Sequence, residues 1–211
     1  KLLFRLSWPR LTPGVKRLLT LMAPGLIGEG VVQINLVVDV ILASTLQEGS
    51  VSFLYFADRV NQLPLGVIGV AVGVALLPLM TRQLAEGDEA GAAESQNRAI
   101  EFALLLTVPA TLALVTIGDP IVCVLFERGA FDAAATENTA AALSAFSVGL
   151  PAYVLIKALT PGFFARQDTV TPVKIAIVAM VVNVVLALIL MQVLSHVGIA
   201  LATAGSAWMY A

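Results

Sequence analysis

Tyr55-Phe56-Ala57-Asp58-Arg59-Val60-Asn61-Gln62-Leu63-Pro64-Leu65-Gly66 opens an apolar run that continues to Leu79. A run of this length can cross a bilayer, whose hydrocarbon core of about 30 Å needs about 20 apolar helical residues. Yet an aspartate and an arginine stand side by side near its start. An arginine at the centre of a spanning helix costs on the order of 2.5–3.5 kcal/mol on insertion scales. A charge retained in such a place marks a candidate functional site. The planar, permanently charged fork of Arg59 matches a phosphate or a carboxylate.

The rest of the 211-residue chain agrees with a membrane setting. It is 59% hydrophobic and only 12% charged, against about 45–50% and about 25% in soluble domains. The expected fold is therefore an all-α polytopic membrane protein. A net charge of −2 offers no basic surface for nucleic acid. The single cysteine, Cys123, lies in the apolar stretch Ile121–Phe126 and reads as a small buried hydrophobe. It allows neither an intramolecular disulfide nor a multi-cysteine metal site. Residues 1–17 are basic, lack a small-residue cleavage site and are expected to form a cytoplasmic segment. Without an initiator methionine, and stopping inside the apolar run at Ala211, the sequence reads as a piece of a longer protein.

Residues 18–211 divide into six apolar segments: Leu18–Leu46, Ser52–Leu84, Ala99–Ile117, Ala135–Phe164, Pro172–Leu194 and one from Val197 to the end. They are too long and too uniformly apolar for barrel strands. With the N-terminal end cytoplasmic, Lys1, Arg5, Arg10, Lys16, Arg17, Arg82, Arg98, Arg166 and Lys174 fall on one side and only Arg128 on the other. That bias predicts the orientation and places Arg59 toward the non-cytoplasmic half. Prolines and glycines recur within the segments, as in Pro64–Gly66, Pro151 and Pro161-Gly162, and predict kinks. The spacing of Gly69 and Gly73 predicts close helix packing. The acidic stretch Ala85–Asn97 is expected to be a solvated loop, with a short amphipathic helix as the alternative, and Gly118–Ala135 a polar turn.

No HExxH, GxSxG, P-loop or Cys/His cluster is present, so the chain is not expected to be an enzyme. His196 is alone in a predicted loop. What remains is a set of polar groups at membrane depth. Asp39, with Asn183 and Thr203 on other segments, has the oxygen chemistry of a hard-cation or proton site. Asp58 can neutralise Arg59. Glu29 can face a polar cavity, and Lys157 can snorkel to an interface.

Three stretches carry a resemblance: Met22–Asp39 (MAPGLIGEGVVQINLVVD), Phe56–Arg82 (FADRVNQLPLGVIGVAVGVALLPLMTR) and Ser147–Ile177 (SVGLPAYVLIKALTPGFFARQDTVTPVKIAI). They resemble the MurJ/MviN family of bacterial lipid II flippases, within the MOP exporter superfamily. The resemblance covers nearly the whole chain. It implies a two-lobed fold in which this chain is the six-helix C-lobe, helices seven to twelve, with the last helix cut short. It implies that Arg59 lines a central cavity as a diphosphate ligand, with further arginines in the other lobe. Asp58, which can orient Arg59, and Glu29, which can face a polar cavity, are the other candidate substrate-binding residues. The resemblance makes Asp39, Asn183 and Thr203 a coupling-cation site between the first, fifth and sixth helices. One turn after Asn183, Ala187 stands where a second carboxylate could be, a departure that counts against a sodium site and leaves proton or membrane-potential coupling open.

The implied function is flipping of an undecaprenyl-diphosphate-linked peptidoglycan precursor across the bacterial cytoplasmic membrane. Other MOP-type exporters, of polysaccharide-lipids or drugs, are the alternative within transporters. A membrane scaffold for cell-wall enzymes is the alternative outside them. The expected partners are lipid II, membrane lipids and, as candidates, cell-wall synthesis or division proteins. No cofactor is expected beyond a coupling Na+ or H+.

Overall fold

Long apolar runs leave the backbone no solvent to bond with, so it bonds to itself as helix. The computed structural model describes residues 13–211 and is almost wholly helical. Lys1, Arg5 and Arg10 of the basic segment lie outside the described residues. The elements are α1 (Pro13–Ser44), α2 (Ser50–Pro64), a π-helical turn (Leu65–Val70), α3 (Ala71–Ala85), α4 (Glu89–Thr116), α5 (Gly118–Phe126), α6 (Ala133–Val148), α7 (Leu150–Ala165) and α8 (Val170–Tyr210).

Three aspartates set helix starts. Asp88 accepts from the Gly91 N–H at 2.8 Å and starts α4. Asp132 accepts from the Ala135 N–H at 2.9 Å and starts α6. Asp168 accepts from the N–H groups of Thr171 at 3.0 Å and Val170 at 3.1 Å. Each satisfies a donor that the first helical turn leaves open. Asp168 lies between spans, and its hydrogen bonds to Thr171, side chain first and backbone next, hold its carboxyl below the usual range. The ionised form is the one favoured by folding. The cap's contribution is therefore complete above the ordinary carboxylate pKa and lost as pH falls through the lowered one. Melting curves of the full-length protein should thus show a small acid-side loss of stability that Asp168→Ala removes. Parallel wild-type and variant curves down to the acid limit would refute it.

Five stretches are long and apolar enough to cross a membrane: Gly25–Ser44, Ser50–Ala85, Glu89–Thr116, Ala133–Ala165 and Val170–Tyr210. The last is really two legs. Ser195 has φ 53° and ψ −134°, outside any helix. Asn183 and Thr203 hydrogen-bond at 3.2 Å across this reversal, whereas twenty residues of straight helix would separate them by about 30 Å. The six expected segments are therefore present, with Pro172–Leu194 and Val197–Ala211 joined as a tight helical hairpin. Gly198 makes the hairpin possible: a Cβ there would lie 2.4 Å from the Leu190 carbonyl oxygen.

Two expectations at the ends of spans need correction. Ala85–Asn97 is not a loop, since all but Glu86–Asp88 is helical and Glu89 onward is α4. The Asp88 cap and the Glu94–Arg98 pair one turn apart support the helix there. Gly118–Ala135 likewise holds the short helix α5 before a turn at Glu127–Asp132.

The α6–α7 stretch is the centre of the bundle, with 67% of its apolar window buried against 11–22% in the other spans. Small residues fill it, and α1 packs on α8, α2 on α6, and α3 and α4 on α7. At the α6–α7 joint, a Cβ on Gly149 would fall 2.8 Å from the Cα of Ala204. That part of α8 therefore touches the joint backbone to backbone. Trp208 seals the joint by donating its indole N–H to the Val148 carbonyl at 2.9 Å. Pro161 breaks the hydrogen-bond ladder of α7. Nearby, the Gln96 amide of α4 donates to the carbonyls of Ala158 and Leu159, each at 3.3 Å. The Gly69/Gly73 spacing does pack closely, against α7. Outward faces carry exposed apolar side chains such as Val67, Val74, Leu105 and Val193, as lipid contact requires. The chain is a multi-pass membrane protein.

Candidate functional site

Arg59 sits two turns from the start of α2 and is exposed. Tyr55, one turn earlier, places its ring under the guanidinium, with Cζ 4.8 Å from the ring centroid. Gln62, at the next i+3 position, accepts from Arg59 Nη1 at 3.3 Å. The same Gln62 donates through Nε2 to the Asp58 carboxylate. Asp58 therefore reaches Arg59 through an amide, and the ion pairs among the described residues are Arg82–Glu86 and Arg98–Glu94. The expectation of a direct Asp58–Arg59 pair becomes a three-residue chain along one helix face. Its effect is to aim the fork while leaving donors free.

A second polar cluster joins three helical legs. Thr203 donates to Asp39 Oδ2 at 3.4 Å, and Asn183 Nδ2 donates to Thr203 Oγ1 at 3.2 Å. Asn35 and Ser206 complete it. Asn35 donates to Asp39 Oδ2 at 3.4 Å, and Ser206 accepts from Asn183 Nδ2 at 3.5 Å. The signal for Asn35 was its one-turn spacing from Asp39. Ser206 became a neighbour only through the Ser195 reversal. The cluster leaves three buried acceptors unpartnered: Oδ1 of Asp39, of Asn35 and of Asn183. An unpaired buried carboxylate oxygen is costly, and oxygen-only donors suit a hard cation or a proton. Ala187 is fully buried below Asn183 and adds no ligand. Among the described residues, no group of three His, Cys, Asp or Glu side chains could hold a metal on its own.

Two neighbouring cavities share Lys157, and the first of them reaches this cluster. The first, about 300 Å³, is lined by Asn35, Asn183, Thr203, Tyr153 and Lys157. The Tyr153 hydroxyl, also missed in the sequence, has no partner. The second, about 370 Å³, is lined by Glu29 and Lys157 among others. Glu29 accepts from Gln33 at 3.5 Å. It thus belongs with Lys157, while the partners of Arg59 are Tyr55 and Gln62. His196 is buried just past the reversal, stacked at 5.4 Å on Phe53, with Nε2 3.1 Å from the Asn138 carbonyl. A carbonyl only accepts, so Nε2 is the donor of this contact, and the buried Nδ1 has no hydrogen-bond partner. Cys123 is half-buried on α5, with no disulfide.

These features define a class before a family. The chain superposes with a TM-score of 0.81 on the outward-facing structure of a multidrug resistance MATE family transporter of the MOP superfamily. The match has 20% identity and covers 92% of this chain and 43% of that one. The fold is that of one lobe of such a transporter. The family model "Lipid II flippase MurJ" matches residues 1–211, and the chain belongs to that family. A solved structure titled "Lipid II flippase MurJ, inward closed conformation" matches with a TM-score of 0.82 and 28% identity, over 95% of this chain and 43% of that one. A probable lipid II flippase MurJ of Rhizobium tropici is 52% identical over 98% of this chain. The chain spans only 38% of that relative's length.

Proposed function

We propose that this chain is one lobe of a transporter that flips lipid II, a diphosphate-linked cell-wall precursor, across the bacterial cytoplasmic membrane. Its residue-13 end faces the cytoplasm in this reading. The observation that carries it is the intramembrane guanidinium of Arg59, shelved on Tyr55, tethered by Gln62 and not neutralised by a direct ion pair. The head group, not the polyprenyl tail, makes spontaneous flipping slow, because an anion entering hydrocarbon loses its hydration. A guanidinium replaces that hydration with charge-assisted hydrogen bonds. The π-helical turn after Pro64, the α6–α7 joint at Gly149 and the hydrogen bond lost at Pro161 give the lobe places to bend during alternating access. Family membership supports the same cargo, and transport rather than catalysis as the activity. A drug exporter of organic cations would favour acidic groups over Arg59. Complementation tests the reading. Cells depleted of their own flippase and given the full-length protein should grow, and failure at normal membrane levels would overturn it.

Asp39, Asn183 and Thr203, with Asn35, are our candidates for the coupling ion. Their unpartnered oxygens fit Na+ or H+, and a bound cation would neutralise the Asp39 carboxylate. The full-length protein should melt higher in sodium than in choline salt, or shift with pH, by on the order of 1–3 kcal/mol at saturation. Asp39→Asn should erase that response. Identical curves for both proteins in every salt and pH would remove the cluster from coupling.

A further inference from the structure

We propose that α5 is an interfacial helix, its outward face among the lipids of the outer leaflet and Arg128 at the level of their phosphates. Only the choice of leaflet rests on the orientation proposed above. Position is the first observation. The stretch of α4 that can cross ends at Thr116, and the next one starts at Ala133. Gly118–Phe126 therefore begins where a crossing helix leaves off. With nine residues it rises only about 13 Å, less than half of a hydrocarbon core of about 30 Å. Leu112 and Val115 are exposed in the last turns of α4, so the lipid-facing surface of the bundle runs up to its first residue.

The surface of the helix is the second observation. Successive residues turn by about 100°, which sets Ile117, Pro120 and Val124 on one side of α5 and Gly118 and Val122 on the other. Gly118 and Val122 are buried, and α5 packs on α6. Ile117 and Pro120 are exposed, and Val124 is 82% exposed. Leu125 beside it is exposed as well. A bare apolar face of this kind marks a contact with a membrane or with another protein. Its continuity with the lipid-facing end of α4 selects the membrane. Asp119, also exposed, stands on the flank between the two faces, where an interfacial helix keeps its polar groups.

Charge is the third. Arg128 follows the helix, is exposed, and donates Nη2 to the Leu125 carbonyl at 2.5 Å, which turns it back over the helix end. The carboxylates on either side of it are engaged elsewhere. Glu127 accepts from the Thr136 hydroxyl at 2.9 Å, and Asp132 caps α6. The remaining donors of the guanidinium are left for lipid phosphate. The anchorage also bears on Arg59. The rings of Phe126, which closes α5, and of Phe131 lie 4.8 and 5.4 Å from that of Phe56, centroid to centroid. Phe56 is three residues before Arg59 on α2. A helix held in the leaflet thus steadies this end of α2 while the lobe rocks.

The test is fluorescence quenching of the full-length protein in vesicles of phosphatidylcholine and phosphatidylglycerol. Its natural cysteines are replaced, and Val124→Cys carries a polarity-sensitive NBD label. Nitroxide high on the lipid acyl chain should quench this label several-fold more than nitroxide at the chain end, or than iodide present on both sides of the membrane. Val67→Cys, exposed near the middle of Ser50–Ala85, should respond most to chain-end nitroxide. Ala130→Cys, in the exposed turn, should respond most to iodide. Arg128→Glu should raise iodide quenching at position 124 several-fold, and Arg128→Lys should not. Iodide quenching at 124 equal to that at 130 would put α5 in water and overturn the proposal. Protection from iodide and from every nitroxide would mean that protein covers the face, and overturns it too. A label that keeps its wild-type depth in Arg128→Glu overturns the phosphate contact. None of these readings depends on which way the protein is inserted, so a reversed orientation would change the leaflet and leave the insertion standing.

Discussion

Arg59→Ala in the full-length protein should abolish growth of cells that depend on it, with the protein still present in the membrane at normal level. Three features make this the largest expected functional effect. The guanidinium is a charged donor within the apolar stretch Ser50–Ala85, and hydrogen bonds to charged groups contribute about 1.5–3 kcal/mol each. Losing a bidentate pair then removes on the order of 3–5 kcal/mol, or about 10²–10⁴ in affinity. Second, the substitution touches only an exposed side chain whose contacts are one ring and one amide, so folding should survive. Third, alanine leaves Asp58 as the dominant charge of the face, which repels a phosphate. Arg59→Lys should rescue poorly. A lysine keeps the charge but loses the fork and the planar contact with Tyr55. Normal growth of Arg59→Ala cells, with protein level checked by immunoblot, would remove Arg59 as a phosphate ligand.

Gly198→Ala should be the most damaging single methyl in the chain. Its Cβ would meet the Leu190 carbonyl oxygen at 2.4 Å, the Leu190 carbonyl carbon at 2.5 Å and the Met191 nitrogen at 2.8 Å. All three are backbone, so no side chain can swing away. The hairpin at Ser195 has to open, and its opening separates Asn183 from Thr203 and Ser206. Overpacking alone costs about 1–3 kcal/mol when neighbours can adjust, and here the neighbours are fixed. We expect about 3 kcal/mol or more, read as a lower Tm and a reduced membrane level. Gly30→Ala, whose Cβ would meet nothing within 4 Å, is the matched control and should be neutral. Equal melting of the two variants would mean that the reversal is not held by close backbone contact.

The spans were legible because a bilayer imposes one length and one composition on every crossing helix. Arg59 stood out for the same reason, as a charge in a run that should not carry one. The Asp39, Asn183 and Thr203 grouping was anticipated through family resemblance and chemistry, and the structure brings the three together. A break between Leu194 and Val197 was legible, but the tightness of the Ser195 reversal, which sets Asn183 against Thr203, was not. Gln62 was invisible as the link between Asp58 and Arg59, since a neutral amide on a helix face carries no signal of its own. The helical start of α4 was missed because its charges read as a solvated loop. Those charges pair one turn apart, which a loop would not need.

The Gln96 amide holds the Ala158 and Leu159 carbonyls beside the Pro161 break. A Cβ on Gly162 would fall 2.7 Å from that same amide nitrogen. Positions 96 and 162 therefore share a single volume, one filling it with an amide and the other vacating it. Neither can drift alone: a larger residue at 162 evicts the amide, and a shorter one at 96 strands two carbonyls. Sequence change in this region has to pass through paired substitutions, which ties the packing of α4 on α7 to two positions at once.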